Sequence, residues 1–247
     1  MSGFANPQEM WDKRFSTPDY VFGEQPNVFL AAQAHLLKPG VALAVADGEG
    51  RNSVWLAKQG MQVDAFDFSA PAIAKANALA EKHKVNVHLS CCAWQTFEWR
   101  HAHYDLVAGI FFQFATPDER AQLFEKMRQS LKPGGLMIIQ GYGKNQLTYN
   151  TGGPGKLDHL YDEALLRDAF AGYEVLVCET YETTLHEGAG HHGMSALVGF
   201  VARKPVYRNI MFKRQSLRLG WLNLILWVAL GWIPSTQAAK TDDHCFV

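Results

Sequence analysis

The sequence predicts an α/β protein whose sheet is doubly wound, mostly parallel and closed by an antiparallel hairpin. Three observations lead there. Short apolar runs alternate with helical stretches between residues 41 and 141, the first run opens into a glycine-rich turn, and two strand-like runs follow each other near residue 200. The 247 residues, 48% hydrophobic and 19% charged, suffice for one core, and nothing before residue 205 suggests an internal boundary. The expected organisation is one domain over 1–205 and a tail over 206–247.

Taken in order, Asn27 to Leu37 reads as a helix that Lys38-Pro39-Gly40 ends, because proline removes a donor and glycine permits a turn. Val41 to Val45 is a first strand, followed by the turn Ala46 to Ser53 and a helix over Val54 to Gln59. Gln62 to Phe66 is a second strand ending at Asp67, and Ser69 caps the helix carrying Ile73, Ala76, Leu79 and Ala80. Val85 to Ser90, Tyr104 to Phe112 and Leu136 to Gly141 are further strands, with an amphipathic helix over Asp118 to Leu131. Leu160 to Phe170 reads as a helix, and Glu174 to Tyr181 with Ala196 to Ala202 as the closing antiparallel pair.

Charge and cysteine content narrow the partners. A net charge of −1 offers no basic face for phosphates before residue 207, so nucleic acid is not expected and small molecules are. Cys91, Cys92, Cys178 and Cys245 match neither a disulfide framework nor a zinc motif. The first residues lack a basic region followed by an apolar stretch. The expected location is the cytoplasm.

In a parallel sheet of this kind ligands bind beyond the carboxyl ends of the strands, where the winding reverses. Gly48 and Gly50 let backbone approach a ligand there, and the following helix offers unpaired N–H groups. Asp67, about twenty residues on, can accept both hydroxyls of a ribose, as adenosine cofactors require. An ordinary turn with a helix-capping Asp67 is the plain alternative. A nicotinamide dinucleotide is disfavoured, because Ser53 stands where its fingerprint needs a third glycine.

Several segments carry a family resemblance over Trp11 to about Pro205. Trp11-Asp-Lys-Arg-Phe with Tyr20-Val-Phe-Gly-Glu-Gln-Pro-Asn resembles an N-terminal lid, Gly48-Glu-Gly-Arg-Asn a glycine turn, and Leu131-Lys-Pro-Gly-Gly-Leu, Thr151-Gly-Gly-Pro and Glu187-Gly-Ala-Gly-His-His-Gly later landmarks. Together they are similar to the class I, Rossmann-like methyltransferases grouped around tellurite-resistance and thiopurine S-methyltransferase-like proteins. The resemblance implies S-adenosyl-L-methionine as cofactor and a small soft nucleophile, a thiol or chalcogen compound, as methyl acceptor. It implies a cofactor site of Trp11, Ala46, Asp47, Gly48, Gly50, Arg51, Asn52, Asp67, Phe68, Ile110 and Gln113, with Cys92, Ala93 and Trp94 around the adenine. Departures are Ala44 and Ala46, where relatives usually carry an acidic residue and a glycine, and Cys91-Cys92-Ala93-Trp94, where an acidic residue often follows the third strand.

Methyl transfer from a sulfonium needs alignment and exclusion of water more than side-chain chemistry, although a thiol reacts as its thiolate and gains from a neighbouring base. His159, His186, His191 and His192 are candidates, and His191 falls on the motif of the resembling family. Trp11, Arg14 and Tyr20 can close over the site, and His191, Arg14 and Tyr20 are the expected catalytic residues. Phe111-Phe112-Gln113-Phe114 ends the fourth strand and lines the reaction centre in this reading. No metal is expected, since no cysteine or carboxylate spacing completes a zinc site.

Beyond Pro205 the chain carries Arg208, Lys213, Arg214 and Arg218, then an uncharged stretch over Leu219 to Ile233 with Trp221, Trp227 and Trp232. As a helix it would span roughly 22 Å, short of the ~30 Å hydrocarbon core. Peripheral contact with the inner membrane surface, docking in a dimer and a dispensable appendage are the open readings, and the oligomeric state is undetermined. For the whole chain, a cofactor-binding protein without catalysis and a methyltransferase for another small molecule stand as alternatives.

Overall fold

The computed structural model describes residues 7–149 and 151–206. The expected tail, with its basic and tryptophan-rich stretches, lies outside the described residues from 207 onward. Seven strands form one sheet in the order β3-β2-β1-β4-β5-β7-β6, where β1 is Val41–Val45, β2 Gln62–Asp67, β3 Val87–Cys91, β4 Tyr104–Ile110, β5 Leu131–Tyr142, β6 Glu174–Glu187 and β7 His191–Arg203. β1 to β5 pair in parallel and β7 runs antiparallel to both β5 and β6. From β1 the chain winds outward to β3, then returns to place β4 on the other side of β1, so the reversal lies between β1 and β4.

The helices are α1 Pro7–Phe15, α2 Val28–Ala32, α3 Arg51–Lys58, α4 Ala70–His83, α5 Pro117–Ser130 and α6 Glu163–Ala169. Both faces of the sheet are covered, which is why its central strands read as unbroken apolar runs. Leu43, Val45, Phe66, Val107, Met137 and Ile139 pack with Phe124, Met127, Leu166 and Phe170 from α5, α6 and the residue after α6. Ala42, Val63, Leu106, Ile138 and Val201 pack with Phe29, Leu30 and Leu56 from α2 and α3. Each large side chain so buried contributes roughly 1.5–3 kcal/mol, and the rigid sheet holds its strand ends in fixed register.

Caps fix several helix starts. Ser69 Oγ accepts from Ala72 N, and Thr116 forms a capping box with Glu119 ahead of Pro117.

The boundaries differ from expectation where tertiary contacts intervene. The helix expected over Asn27 to Leu37 is broken: α2 is one turn capped by the Asn27 side chain, then Ala34–Leu36 form a 3-10 turn, because only Phe29 and Leu30 have a face to bury. The helix expected from Leu160 begins at Glu163, since Tyr161 N bonds to Tyr142 O at 3.0 Å and Asp162 caps Leu165 N at 2.7 Å. β3 starts at Val87 rather than Val85 because Lys84 closes α4 in a left-handed conformation. β5 begins at Leu131 rather than Leu136. The closing hairpin is much longer than expected and brings His191 into a strand paired with Glu187. Glu182 to Thr184 and His186 are exposed there while Leu185 and Glu187 are buried, and a buried glutamate breaks the apolar alternation that would mark a strand.

Candidate active site at the strand ends

Ala46 (φ 49°) and Phe111 (φ 55°) follow β1 and β4 directly, on either side of the reversal. Both hold a left-handed conformation that costs a non-glycine residue roughly 1–3 kcal/mol, a strain the surrounding sheet sustains. Beyond Ala46 the chain turns through Gly48 (φ 59°) and Gly50 (φ 86°) into α3. A Cβ on Gly50 would lie 2.6 Å from Ala76 Cβ, so Gly50 serves the close packing of α3 on α4. A Cβ on Gly48 would instead meet the Phe15 ring of α1 at 3.5 Å, so the turn faces the N-terminal helix.

Asp67 closes the crevice from β2. Its Oδ2 accepts from Gly48 N at 2.9 Å and its Oδ1 from Ser69 N at 2.9 Å, leaving acceptor capacity on both oxygens. Burial pushes this carboxyl up to about 6, against the pull of those backbone donors and with a smaller contribution from the Asp12 charge. Burial likewise pushes Asp47 up to about 7, although its Oδ2 accepts from Ser53 N at 3.3 Å. Next to Asp67, Cys92 N donates to Asp67 O, and Ala93 O receives Thr96 N and Phe97 N as a helical turn starts. Half-buried Phe68 borders this corner, and its carbonyl accepts from Cys91 Sγ at 3.8 Å. The Trp94 side chain belongs to the core around Phe66 instead, with its carbonyl holding Trp99 Nε1 at 2.8 Å.

α1 and the segment after it cover the crevice. Trp11 stacks on Phe15 with ring centroids 5.3 Å apart, and the Arg14 guanidinium lies 5.0 Å from the Trp11 ring and 5.1 Å from Phe22. Glu49, 3% exposed, holds this lid down: it accepts from Val21 N at 2.8 Å, from Phe22 N at 3.4 Å and from Lys75 Nζ at 2.7 Å. The Tyr20 hydroxyl donates to Lys75 O at 3.0 Å and its ring packs with Val54, Leu79 and Ala80. Tyr20, expected among the catalytic residues, thus fastens the lid to α4.

A buried polar hub lies on the other side of the lid. Glu187 receives Arg51 Nη2 at 2.7 Å, Asn27 Nδ2 at 3.0 Å and Val28 N at 3.0 Å; burial raises its carboxyl, but His191 first, then Arg51 and Val28 N, outweigh that and hold it down at about 2. Asn52 Oδ1 accepts from Asn27 N at 3.0 Å, and Arg51 also reaches Phe22 O at 3.2 Å. Arg51 and Asn52, expected at the cofactor, spend these polar atoms tying α3 to the lid and the hairpin. Gln113 is similarly engaged: its amide donates to Tyr142 O and His159 O and accepts from Tyr142 N, while Ile110 is core.

His191 sits between Phe22 and Phe111, with ring centroids at 4.3 and 4.2 Å, and its Nδ1 is 3.7 Å from Glu187 Oε2. Burial keeps its imidazolium below the ordinary value while Glu187 pulls the other way, so the ring is neutral near pH 7 and able to accept a proton. Tyr142, at the end of β5, meets the His191 ring edge-on at 5.8 Å. His159 is buried against Gln113 O, whereas exposed His186 and His192 face each other across the hairpin, outside this cluster. Among the described residues no three His, Cys, Asp or Glu side chains are placed to hold a metal.

Two groups therefore converge: Ala46, Asp47, Gly48, Asp67, Cys92 and Ala93 around the crevice, and Trp11, Arg14 and His191 around its far end. Glu49, Tyr142, Phe22 and Glu187 were not singled out by sequence reasoning. Glu49 had a signal, since an acidic residue is out of place in a turn built for a carboxylate or phosphate.

A family model described as a methyltransferase domain matches residues 42–135, which run from β1 into β5. Over those strands the chain is similar to a methyltransferase domain. It is 24% identical over 106 residues to the probable S-adenosyl-L-methionine-dependent methyltransferase TehB of Haemophilus influenzae, a match covering 43% of this chain and 37% of TehB. The match thus spans little more than a third of that relative. The solved H. influenzae TehB structure superposes with a TM-score of 0.61 at 19% identity, over 80% of this chain and 66% of that one. A structure reported for the conversion of a disulfide bond into a thioacetal group during echinomycin biosynthesis gives 0.67 at 15% identity, over 83% and 94%. Phosphoethanolamine N-methyltransferase 2 of Haemonchus contortus, solved with S-adenosyl-L-methionine, gives 0.58 at 18% identity, over 82% and 61%. At these identities the structural likenesses establish the fold.

Proposed function

We propose that this methyltransferase domain transfers a methyl group from S-adenosyl-L-methionine to a small soft nucleophile, a thiol or chalcogen compound. One observation carries the reading: Asp67 at the end of β2 bonds across the crevice to Gly48 N, 2.9 Å away, with acceptor capacity to spare on both oxygens. A cofactor ribose supplies two hydroxyl donors for that capacity, and the adjoining N–H groups at Ala93 and Trp94 suit adenine ring nitrogens. The methionine end of the cofactor fits the turn at Gly48 and the first turn of α3, where backbone donors face an anion.

When bound, the cofactor supplies an electrophilic methyl group. The chain's own residues align and shield. Trp11, Phe15 and Phe22 form an apolar lid that excludes water, and an apolar wall of Phe22 and Phe111 suits sulfur. His191 takes the proton of an acceptor thiol, and Glu187 steadies the imidazolium that forms. The thiolate so formed would be the nucleophile for the methyl group that the cofactor supplies.

The described residues contain no helix long and apolar enough to cross a membrane. A small acceptor working in the cytoplasm belongs to the same proposal. The test is release of S-adenosylhomocysteine with thiols, selenols, tellurite and small amines. Release with soft acceptors, reduced in His191→Ala, supports the reading. Tight cofactor binding without release from any acceptor supports instead a binding protein without catalysis, and preferential turnover of amines would move the acceptor class.

A further inference from the structure

Three polar groups at the far end of the crevice are without the partner that burial or charge demands. Tyr142 is 3% exposed and its Oη has no hydrogen-bond partner among the described residues, although an unpaired buried hydroxyl costs about 1–3 kcal/mol. His191 is 7% exposed and its Nδ1, 3.7 Å from Glu187 Oε2, has no partner within hydrogen-bond distance among the described residues. Arg14 makes no ion pair with any described residue and is held only over the faces of Trp11 and Phe22. The three adjoin one another: Arg14 touches Phe22, Phe22 packs on His191, and His191 meets Tyr142.

The charges around them do not cancel. Glu187 is matched by Arg51 at 2.7 Å, and Glu49 by Lys75 at 2.7 Å. Arg14 has no carboxylate within salt-bridge distance among the described residues, so its guanidinium is open to an anionic group. The backbone makes room beside the hydroxyl, because residue 152 is glycine at φ 139° and a Cβ there would stand 2.8 Å from Tyr142 Oη.

Resting on the thiol reading above, we propose that the acceptor carries an anionic oxygen group besides its nucleophilic atom, held by Arg14 and by a hydrogen bond from Tyr142 Oη. The guanidinium supplies charge from the rim, the phenol supplies direction from the floor, and His191 between them is left for the proton of the attacking atom. Arg14 and Tyr142 select the substrate. An acceptor lacking the anionic group leaves the phenol unpaired in the loaded site.

Mercaptoacetate and ethanethiol, matched thiols with and without a carboxylate, test this. Wild type is expected to show kcat/KM at least about tenfold higher for mercaptoacetate, the worth of one charge-assisted hydrogen bond. Tyr142→Phe and Arg14→Gln, which preserve the packing of ring and stem, are each expected to bring the two thiols to within about threefold, chiefly through KM for mercaptoacetate. Arg14→Lys should restore part of the preference. Equal use of the two thiols by wild type, or variants that slow both alike, would overturn the proposal. Dissociation constants of the same two compounds with S-adenosylhomocysteine present read the anion site without turnover. Absent turnover therefore strikes the thiol reading alone, and absent discrimination in binding strikes this one.

Discussion

Arg51, in the first turn of α3, and Glu187, at the tip of the closing hairpin, lie 136 residues apart in sequence and meet at 2.7 Å with side chains 7% and 6% exposed. The contact joins the glycine turn, the proposed seat of the cofactor, to the hairpin that presents His191. Asn27 completes the joint, reaching Glu187 at 3.0 Å and Gln140 at 2.6 Å. The two halves of the site are thereby held as one unit.

Removing one side of that pair should be severe. Glu187→Gln leaves the Arg51 charge buried without its counterion, and we expect a loss of about 3–5 kcal/mol in denaturant unfolding. Replacing both, as Arg51→Met with Glu187→Leu, should recover part of it, because the desolvation of two charges is then avoided while Asn27 Nδ2 and Val28 N lose their acceptor. A cost below about 1 kcal/mol for Glu187→Gln would show that the pair is accessible to water.

Asp47 should oppose folding at neutral pH. Its carboxyl is pushed by burial from the ordinary 3.8 up to about 7, so the unfolded chain holds fewer protons than the folded one between those values. Stability from this group is present below about pH 4 and lost as pH rises through 7. Asp47→Asn, which keeps an acceptor for Ser53 N, is expected to raise Tm at pH 8 and to change it little at pH 4. Equal Tm differences at the two pH values would contradict this.

Glu49 should govern the lid and not the fold. Its carboxylate takes Val21 N and Phe22 N while pairing with Lys75. In Glu49→Ala the amides of Val21 and Phe22 are expected to exchange with deuterium faster by at least about tenfold, and cofactor affinity to fall with them. Unchanged exchange at both amides would mean that the lid is held elsewhere.

How far the site could be read from sequence follows from how local its parts are. Gly48 and Asp67 close adjacent parallel strands, so strand periodicity and turn chemistry alone bring them together. Trp11 and Arg14 share one helical turn, and their proximity follows from the helix. Glu187 and Tyr142 acquire their meaning only when β5, β7 and α3 meet, and no local pattern distinguishes a buried glutamate from a solvated one. Tyr20 shows why an aromatic in a lid is ambiguous in sequence: only packing decides which side it faces, and here it packs on α4. Gly50 reads equally well as a ligand approach or a helix contact, and its contact with Ala76 already requires a glycine there.

The account rests most directly on Asp67, and titration calorimetry with S-adenosyl-L-methionine tests it. The ribose hydroxyls favour the ionised carboxyl, whose value is raised to about 6, so wild-type affinity should be level above pH 7 and fall by up to about tenfold per pH unit below 6. Asp67→Ala should bind at least about a hundredfold more weakly at pH 7.5, from the loss of two charge-assisted hydrogen bonds, and should lose the acid-side slope. Wild-type binding that ignores pH, or an Asp67→Ala variant that binds as tightly as wild type, would contradict the account.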